Sequence, residues 1–325
     1  MFRSLSRLTG SLAHLRLRDD RAAQRGKAFG VLCDTFTRLK DMSSVYVQPN
    51  DFESLPVKID IKVLPINDVT IEETPRAAAH NDSNFFLPLS RESISSKYKM
   101  NLESPEIRKR FSEVNQLTDG NCPALVKIGC WNEEEHLDSI VYQLMWEADI
   151  VPRMGTDGNS RPLRVVTGWK SPGFAFEARF EPCLHPYSPP YSEPAYCWVK
   201  GGLPHIKIAV YNTSNGDSTL LLRSEVITII AAIATRLMDE GLEKHLVIPV
   251  MLISFMAPAH GRVIIAHYDG HRLRIQMSNL LPCSSDDRAS WDFFARYLGP
   301  TNISLQLEGI NQDPDAAIVF NGEEV

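Results

Sequence analysis

The sequence lacks the motifs of several large enzyme classes. It contains no Gly-x-Gly-x-x-Gly pattern and no phosphate loop, and Gly201 and Gly202 precede a predicted strand, not the helix whose N-terminus would bind phosphate. It also contains no Gly-x-Ser-x-Gly elbow, which argues against an α/β-hydrolase triad. The absence of these motifs therefore argues against a dinucleotide-binding enzyme, a phosphate-loop enzyme and a serine hydrolase.

Cysteine pairs at metal-binding spacing are also missing. The chain has 6 cysteines, and none forms a Cys-x-x-Cys pair or lies near a histidine at zinc-finger spacing. This usage predicts reduced thiols in a cytoplasmic or nuclear protein. With 325 residues, of which 43% are hydrophobic, the chain can build a sizeable core without disulfide or metal support.

Long apolar runs and strong positive charge are absent too. No apolar stretch reaches the roughly 18 residues of a membrane span, so we expect no membrane insertion. The net charge of −6 argues against a protein whose whole surface is coated by nucleic acid. A local basic face is still compatible with this net charge. Arg3, Arg7, Arg16 and Arg18 precede the first acid, Asp19, which fits either a mitochondrial presequence or an ordinary basic amphipathic helix.

The clearest pattern in the chain lies between residues 205 and 280. It predicts a strand at 205–212, an apolar helix at 218–240, a buried strand at 246–256 and a hairpin formed by 262–268 and 271–279. Asp269-Gly270 is a two-residue turn signal that would pair Tyr268 with His271. In that hairpin Ile264, Ala266 and their cross-strand neighbours would face the core.

Other segments carry simpler signals. Helical spacing predicts helices at 1–44, 132–148 and 286–298, and alternation predicts strands at 57–63, 163–166, 173–181 and 302–307. Residues 72–96 are polar and lack periodicity, which is typical of a loop.

Two groups of charged residues are candidate sites. Glu177, Arg179 and Glu181 share one face of the predicted strand 173–181, where the two carboxylates could hold a divalent ion or simply form a solvated face. On the outward face of the hairpin, His267, Arg272 and Arg274 form a candidate anion-binding surface, with a solvated cationic face as the alternative.

The chain resembles fungal proteins that have a PD-(D/E)XK nuclease-like domain. The resemblance spans about residues 131–280, and its residues are His245, Pro249-Val250, Ser254-Phe255-Met256, Gly261-Arg262-Val263, the hairpin segment from Ala266 to Gly270, and Ser278. It implies a restriction-endonuclease-like α/β (α+β) fold, with a mixed sheet flanked by helices. We therefore expect an N-terminal helical extension with a loop at 1–100, the nuclease-like domain at 101–308 and an acidic tail at 309–325.

The resemblance also implies where catalytic residues would stand. Active members use a helix acid, matched here by Glu135 or Glu147, and a strand acid, matched by Glu177 or Glu181. Their Glu-x-Lys pair would lie on the strand 205–212, where this chain has Ala209 and Tyr211. Lys207 lies on the same strand face but is displaced by two residues and has no acidic partner on that strand.

The expected function is therefore a non-catalytic, nuclease-like accessory or interaction protein with a protein partner and no cofactor. One alternative is a divergent Mg²⁺- or Mn²⁺-dependent phosphodiesterase with Glu177, Glu181 and Lys207 (or a migrated Lys200) as catalytic residues and Glu147 and Glu177 as metal ligands. It would bind nucleic acid through the local basic face. A third hypothesis is an accessory protein of a fungal biosynthetic pathway, with an apolar pocket lined by Trp169, Phe174, Tyr187, Tyr191 and Trp198.

Overall fold

The structure is a computed structural model. It describes residues 2–64, 85–86, 88–92, 105, 153–154, 160–161, 163, 167–170, 176–184, 192–257, 260–283 and 288–299. The predicted helix at 132–148, the predicted strand at 302–307 and the acidic tail lie outside these residues, as do Glu135 and Glu147.

The described elements follow one another in a mixed order. The helices are α1 (Phe2–Asp41), α2 (Pro49–Ser54), α3 (Arg223–Leu237) and α4 (Arg288–Leu298), with short 3₁₀ turns at Glu181–Cys183 and Glu240–Leu242. The strands are β1 (Tyr46–Val47), β2 (Lys58–Val63), β3 (Arg153–Met154), β4 (Ser160–Arg161), β5 (Ser192–Val199), β6 (Ile206–Asn215), β7 (Leu221–Leu222), β8 (Val250–Ala257), β9 (His260–Tyr268), β10 (Arg272–Met277) and β11 (Leu281–Pro282).

One mixed sheet organises the fold. Its strand order is β2-β10-β9-β8-β6-β5, and β11 pairs with β9. Strands β6 and β8 are parallel, as are β10 and β2, and the other neighbours in this order are antiparallel. Parallel neighbours need a crossover connection, and α3 supplies it between β6 and β8. The expected α+β class, a mixed sheet flanked by helices with an N-terminal helix, is confirmed.

The first face of the sheet is covered by α3, which is itself covered by α1. Helix α3 is apolar on most of its circumference and is buried along almost its whole length, as expected of a helix enclosed on all sides. Leu32, Phe36 and Leu39 of α1 belong to the same core cluster, together with Ile208 of β6 and Ile264 of β9. We call this cluster the α3 core.

The opposite face of the sheet carries a second core, which we call the α4 core. It joins Ala209 and Tyr211 of β6 to Phe255 of β8 and to Phe293 and Phe294 of α4. The rings of Phe255 and Phe294 meet edge to face with centroids 5.2 Å apart, an arrangement that aromatic pairs prefer. Each of the two faces therefore has its own hydrophobic core.

The N-terminal segment is part of this architecture. Strand β2 extends the sheet by pairing in parallel with β10, and α1 covers α3. Packing therefore crosses the boundary that the sequence predicted near residue 100.

The hairpin between β9 and β10 has a different register from the one predicted. Tyr268 pairs with Leu273 instead of His271, so four residues, from Asp269 to Arg272, separate the first paired positions of the two strands. The Asp269 carboxylate accepts hydrogen bonds from the amides of His271 and Arg272 at 2.8 and 2.6 Å, which stabilises the longer turn. A shift of two residues leaves each side chain on its predicted face, because side chains alternate along a strand.

Two predicted strands are wrong where the structure describes them. Leu163 is helical, and its carbonyl accepts a hydrogen bond from the Thr167 amide at 3.0 Å. Residues 176–184 form turns, in which the Phe180 amide donates to the Glu177 carbonyl before the 3₁₀ turn that contains Pro182. Alternating aromatics suggested a strand, but burial of Phe180 against Phe36, with ring centroids 4.7 Å apart, stabilises a turn instead.

Candidate functional site

The resemblance predicts that the Glu-x-Lys pair of an active nuclease would lie on strand β6. Ile206, Ile208 and Val210 face the α3 core, so the alternate positions face the α4 core. Ala209 and Tyr211 are at those alternate positions, and both are buried. Alanine offers no metal ligand, and the tyrosine lies among apolar side chains.

Lys207 is on the same face of β6 and is wholly buried. Its Nζ donates a hydrogen bond to the Leu298 carbonyl at 2.6 Å, at the last residue of α4. The same atom lies 3.8 Å from the ring centroid of Trp169. A cation at a helix C-terminus and over an indole face is stabilised by both groups, so Lys207 joins β6 to α4 and to Trp169.

Glu177 and Glu181 lie on the other side of the sheet. The Glu177 amide donates to Thr235 Oγ1 of α3 at 3.1 Å, and its carboxylate forms an ion pair with Arg179. The hydrogen bond to Glu177 raises the pKa of Arg179, whose guanidinium also lies 4.9 Å from the centroid of the Phe29 ring in α1. Glu181 is exposed at the start of the 3₁₀ turn. The structure therefore does not bring these acids together with Lys207.

The hairpin surface contains its own countercharges. Arg274 forms ion pairs with Asp60 of β2 and with Asp269 of the turn, the latter at 2.7 Å. Burial alone would raise the pKa of Asp269, but hydrogen bonds from the Arg272 amide and from Arg274 lower it overall. The His267 ring meets Phe85 edge to face at 4.8 Å. The charge of Arg274, one of the three residues predicted to bind anions, is therefore compensated within the protein.

A pair of buried histidines is a feature that the sequence reasoning missed. His205 is wholly buried next to Phe86, with ring centroids 5.4 Å apart, and neither ring nitrogen has a hydrogen-bond partner among the described residues. Burial lowers the pKa of His205 to about 3, and His245 and Lys200 add to the effect. Burial likewise lowers the pKa of His245 to about 4, with further contributions from Lys244 and Arg25. Both imidazoles are neutral at pH 7.

Arg25 of α1 closes the C-terminal end of α3. Its guanidinium donates to the carbonyls of Leu237 and His245, and to that of Leu242 at 2.6 Å. Burial lowers the pKa of this arginine, and Glu243 and Asp239 oppose that shift. The last carbonyls of a helix lack intrahelical partners, and a cation is favoured there. The contact was missed because the two segments are more than 200 residues apart in sequence.

The N-terminal end of α3 is held by a buried ion pair. Glu225 and Arg262 are both wholly buried, and Arg262 Nε donates to Glu225 Oε1 at 2.8 Å. Glu225 Oε2 also accepts from the Leu222 amide at 2.8 Å, and Arg262 donates to the Asp217 carbonyl at 2.8 Å. The Glu225 carboxylate is thus bound by the protein's own groups.

The aromatic residues of the pocket hypothesis are placed only in part. Trp169 and Trp198 are both buried in the α4 core, and Trp198 stacks on Tyr196 with ring centroids 5.9 Å apart. Phe174, Tyr187 and Tyr191 lie outside the described residues. The two tryptophans fill the core next to Lys207.

Comparison with known proteins adds no assignment. No family model, no curated protein and no solved structure matches this chain. In the part of the chain that the structure describes, no group of His, Cys, Asp and Glu side chains is arranged to hold a metal ion. No helix in that part is long and apolar enough to cross a membrane.

Proposed function

We propose that this protein is a non-catalytic accessory or interaction protein built on a PD-(D/E)XK nuclease-like core. The observation that carries the proposal is that Ala209 and Tyr211 of β6, at the positions that the resemblance gives to the Glu-x-Lys pair, are buried in the α4 core. Alanine cannot ligate a metal ion, and a tyrosine hydroxyl does not carry the positive charge that lysine offers to a phosphate. Function depends on the site more than on the scaffold, so such a fold can persist without hydrolysis.

The connectivity around β6 supports the nuclease-like part of the proposal. Strands β5 and β6 form an antiparallel pair, α3 follows, and β8 returns parallel to β6. This is the order of strand, helix, strand and hairpin that the resemblance implies for residues 205–280. We propose a protein partner for this core and a location in the cytoplasm or nucleus.

The placement of the remaining candidates supports the absence of hydrolysis. Metal-assisted phosphodiester cleavage needs the acids and a cation around a single phosphate. The Glu177 amide is hydrogen-bonded to α3 and its carboxylate is paired with Arg179, whereas Lys207 lies across the sheet and contacts Leu298 and Trp169. The divergent nuclease is the weaker alternative because its described acids, Glu177 and Glu181, lie on the opposite side of the sheet from Lys207.

The decisive experiment combines cleavage and metal binding. Purified protein is incubated with DNA and with RNA in Mg²⁺ or Mn²⁺, and its melting temperature is measured with and without each ion. We expect no cleavage. We also expect no metal-dependent rise in melting temperature, because such a rise requires an ion that binds the folded state and stabilises it by linkage. Mn²⁺-dependent cleavage that Glu177→Ala abolishes, while Glu53→Ala on the exposed surface of α2 retains it, would contradict the proposal.

A further inference from the structure

Strand β2 is an edge strand of the large sheet in the part of the chain that the structure describes. Within the described residues, β10 is the only strand paired with β2. The Leu64 amide donates to the Met277 carbonyl at 2.8 Å, so the backbone of residue 64 points towards β10. Because backbone groups alternate in direction along a strand, the N–H and C=O groups of Ile59, Ile61 and Val63 point away from the sheet.

The side chains of β2 are divided between the two faces. Ile59 and Ile61 pack against the α3 core, and Val63 follows them on the same face but is 72% exposed. Lys58 and Lys62 are exposed on the other face, with Asp60 between them. An edge with outward backbone groups is a template for another strand, and flanking lysines restrict which strands can pair with it.

We propose that β2 pairs antiparallel with β2 of a second copy of this chain, in a register centred on Ile61. Ile61 then opposes its own copy, and each Ile59 opposes the partner's Val63. Every outward N–H and C=O group of these residues obtains a hydrogen-bond partner, and the exposed valine is covered. The inference does not depend on the proposed function.

Charge complementarity favours a second copy of this chain as the partner strand, and it favours the register centred on Ile61. In the register centred on Ile61, each Asp60 opposes Lys62 of the other copy. Asp60 and Lys62 would form pairs that are not joined by backbone hydrogen bonds. Side chains approach closely in such pairs, so the opposite charges of Asp60 and Lys62 stabilise the dimer. Arg274 already contacts Asp60, but a carboxylate has enough acceptor sites for both cations.

Neighbouring registers fit less well. Two side chains that oppose each other across paired strands must lie on the same face of the sheet. The centre of the pairing must therefore fall on a residue of β2 and not between two residues. A centre at Asp60 would place Asp60 opposite Asp60 and Lys58 opposite Lys62, which are like-charged pairs. A centre at Ile59 would oppose Ile61 to Val57, a wholly buried residue before the strand, and would leave Val63 uncovered.

The test uses the full chain in sedimentation velocity over a concentration range reaching about 1 mM. We expect wild-type protein to dimerise with increasing concentration and Lys62→Asp to remain monomeric, since this change places a second carboxylate opposite Asp60. Lys58→Asp is the matched control, because Lys58 is equally exposed on β2 but opposes no charged residue in this register. Both variants should keep the wild-type melting temperature.

A charge-swap mixture tests the pairing directly. Asp60→Lys and Lys62→Asp should each be monomeric alone and should form a heterodimer when mixed, since lysine then opposes aspartate at both positions. Hydrogen exchange should also show that the amides of Ile59, Ile61 and Val63 gain protection with concentration. A wild-type protein that stays monomeric, a Lys62→Asp variant that dimerises like wild type, or a mixture that does not associate would each overturn the proposal.

Discussion

At the residue scale, several buried charged side chains of this protein connect elements that are distant in sequence. Lys207 joins β6 to the end of α4, and Arg262 joins β9 to the start of α3. Buried charges persist in a fold when they are paired and hydrogen-bonded. Lys207 and Glu177, which suggest catalysis in the sequence, therefore have structural partners here.

The buried histidines predict a pH dependence of stability. Because the pKa of His205 is about 3 and that of His245 about 4 in the folded protein, the unfolded chain binds more protons below its ordinary histidine pKa near 6.5. The stabilisation that comes from keeping these histidines neutral is therefore complete above about pH 6.5. Below that pH, the free energy of unfolding falls by up to about 1.4 kcal/mol per pH unit for each histidine.

Urea denaturation at a series of pH values from 7 to 4 measures this slope. His205→Phe keeps an aromatic ring beside Phe86 and should flatten the slope, whereas His271→Phe in the exposed turn should leave it unchanged. An identical slope in wild type and His205→Phe would show that His205 is not a source of the acid sensitivity.

At the element scale, each end of α3 is held by a residue from a distant segment. The helix has apolar residues around its circumference, and its length and burial follow from them. Its two ends depend on Arg262 at the start and on Arg25 at the finish. The helix was predicted from sequence, and its attachment to α1 was not.

Removal of the Arg25 guanidinium should destabilise the fold. In Arg25→Ala, the carbonyls of Leu237, Leu242 and His245 lose their donor, and unsatisfied buried acceptors cost about 1–3 kcal/mol. We expect a loss of that size in the free energy of unfolding by chemical denaturation. Lys27→Ala, an exposed cation on the same helix, should change stability by less than about 0.5 kcal/mol. Equal stabilities for the two variants would contradict the role of Arg25.

At the scale of the whole molecule, the N-terminal segment and the sheet form one packed body. Helix α1 contributes Leu32, Phe36 and Leu39 to the α3 core, and β2 is a strand of the sheet. A truncated chain beginning at residue 101 would expose the outer surface of α3 and an edge of β10. Large exposed apolar patches promote aggregation.

We therefore expect the chain from residue 101 to aggregate or to lack cooperative thermal unfolding, as measured by solubility and circular dichroism. A chain lacking only residues 1–18 retains Arg25, Leu32, Phe36 and Leu39, so it should remain folded and serves as the control. A soluble chain from residue 101 with a cooperative transition would show that this part of the chain folds without the N-terminal segment.

Local periodicity by itself determined the long elements. The helical spacing near the N-terminus, the alternation in β2 and the apolar runs of α3 and β8 appear in the structure close to their predicted places. Those signals are strong because one buried face requires apolar residues at a fixed period. The same signals predicted the core face of the hairpin.

Only the tertiary structure decided the contacts between distant residues. The pairing of Arg274 with Asp60, the contact of Arg25 with α3 and the separation of Glu177 from Lys207 depend on which elements become neighbours. The turn at residues 176–184 likewise forms because Phe180 is buried against α1, although its local pattern favoured a strand. Periodicity reports which face of a segment is buried, whereas partners and register are set by side-chain packing and hydrogen bonds that form only when the chain folds.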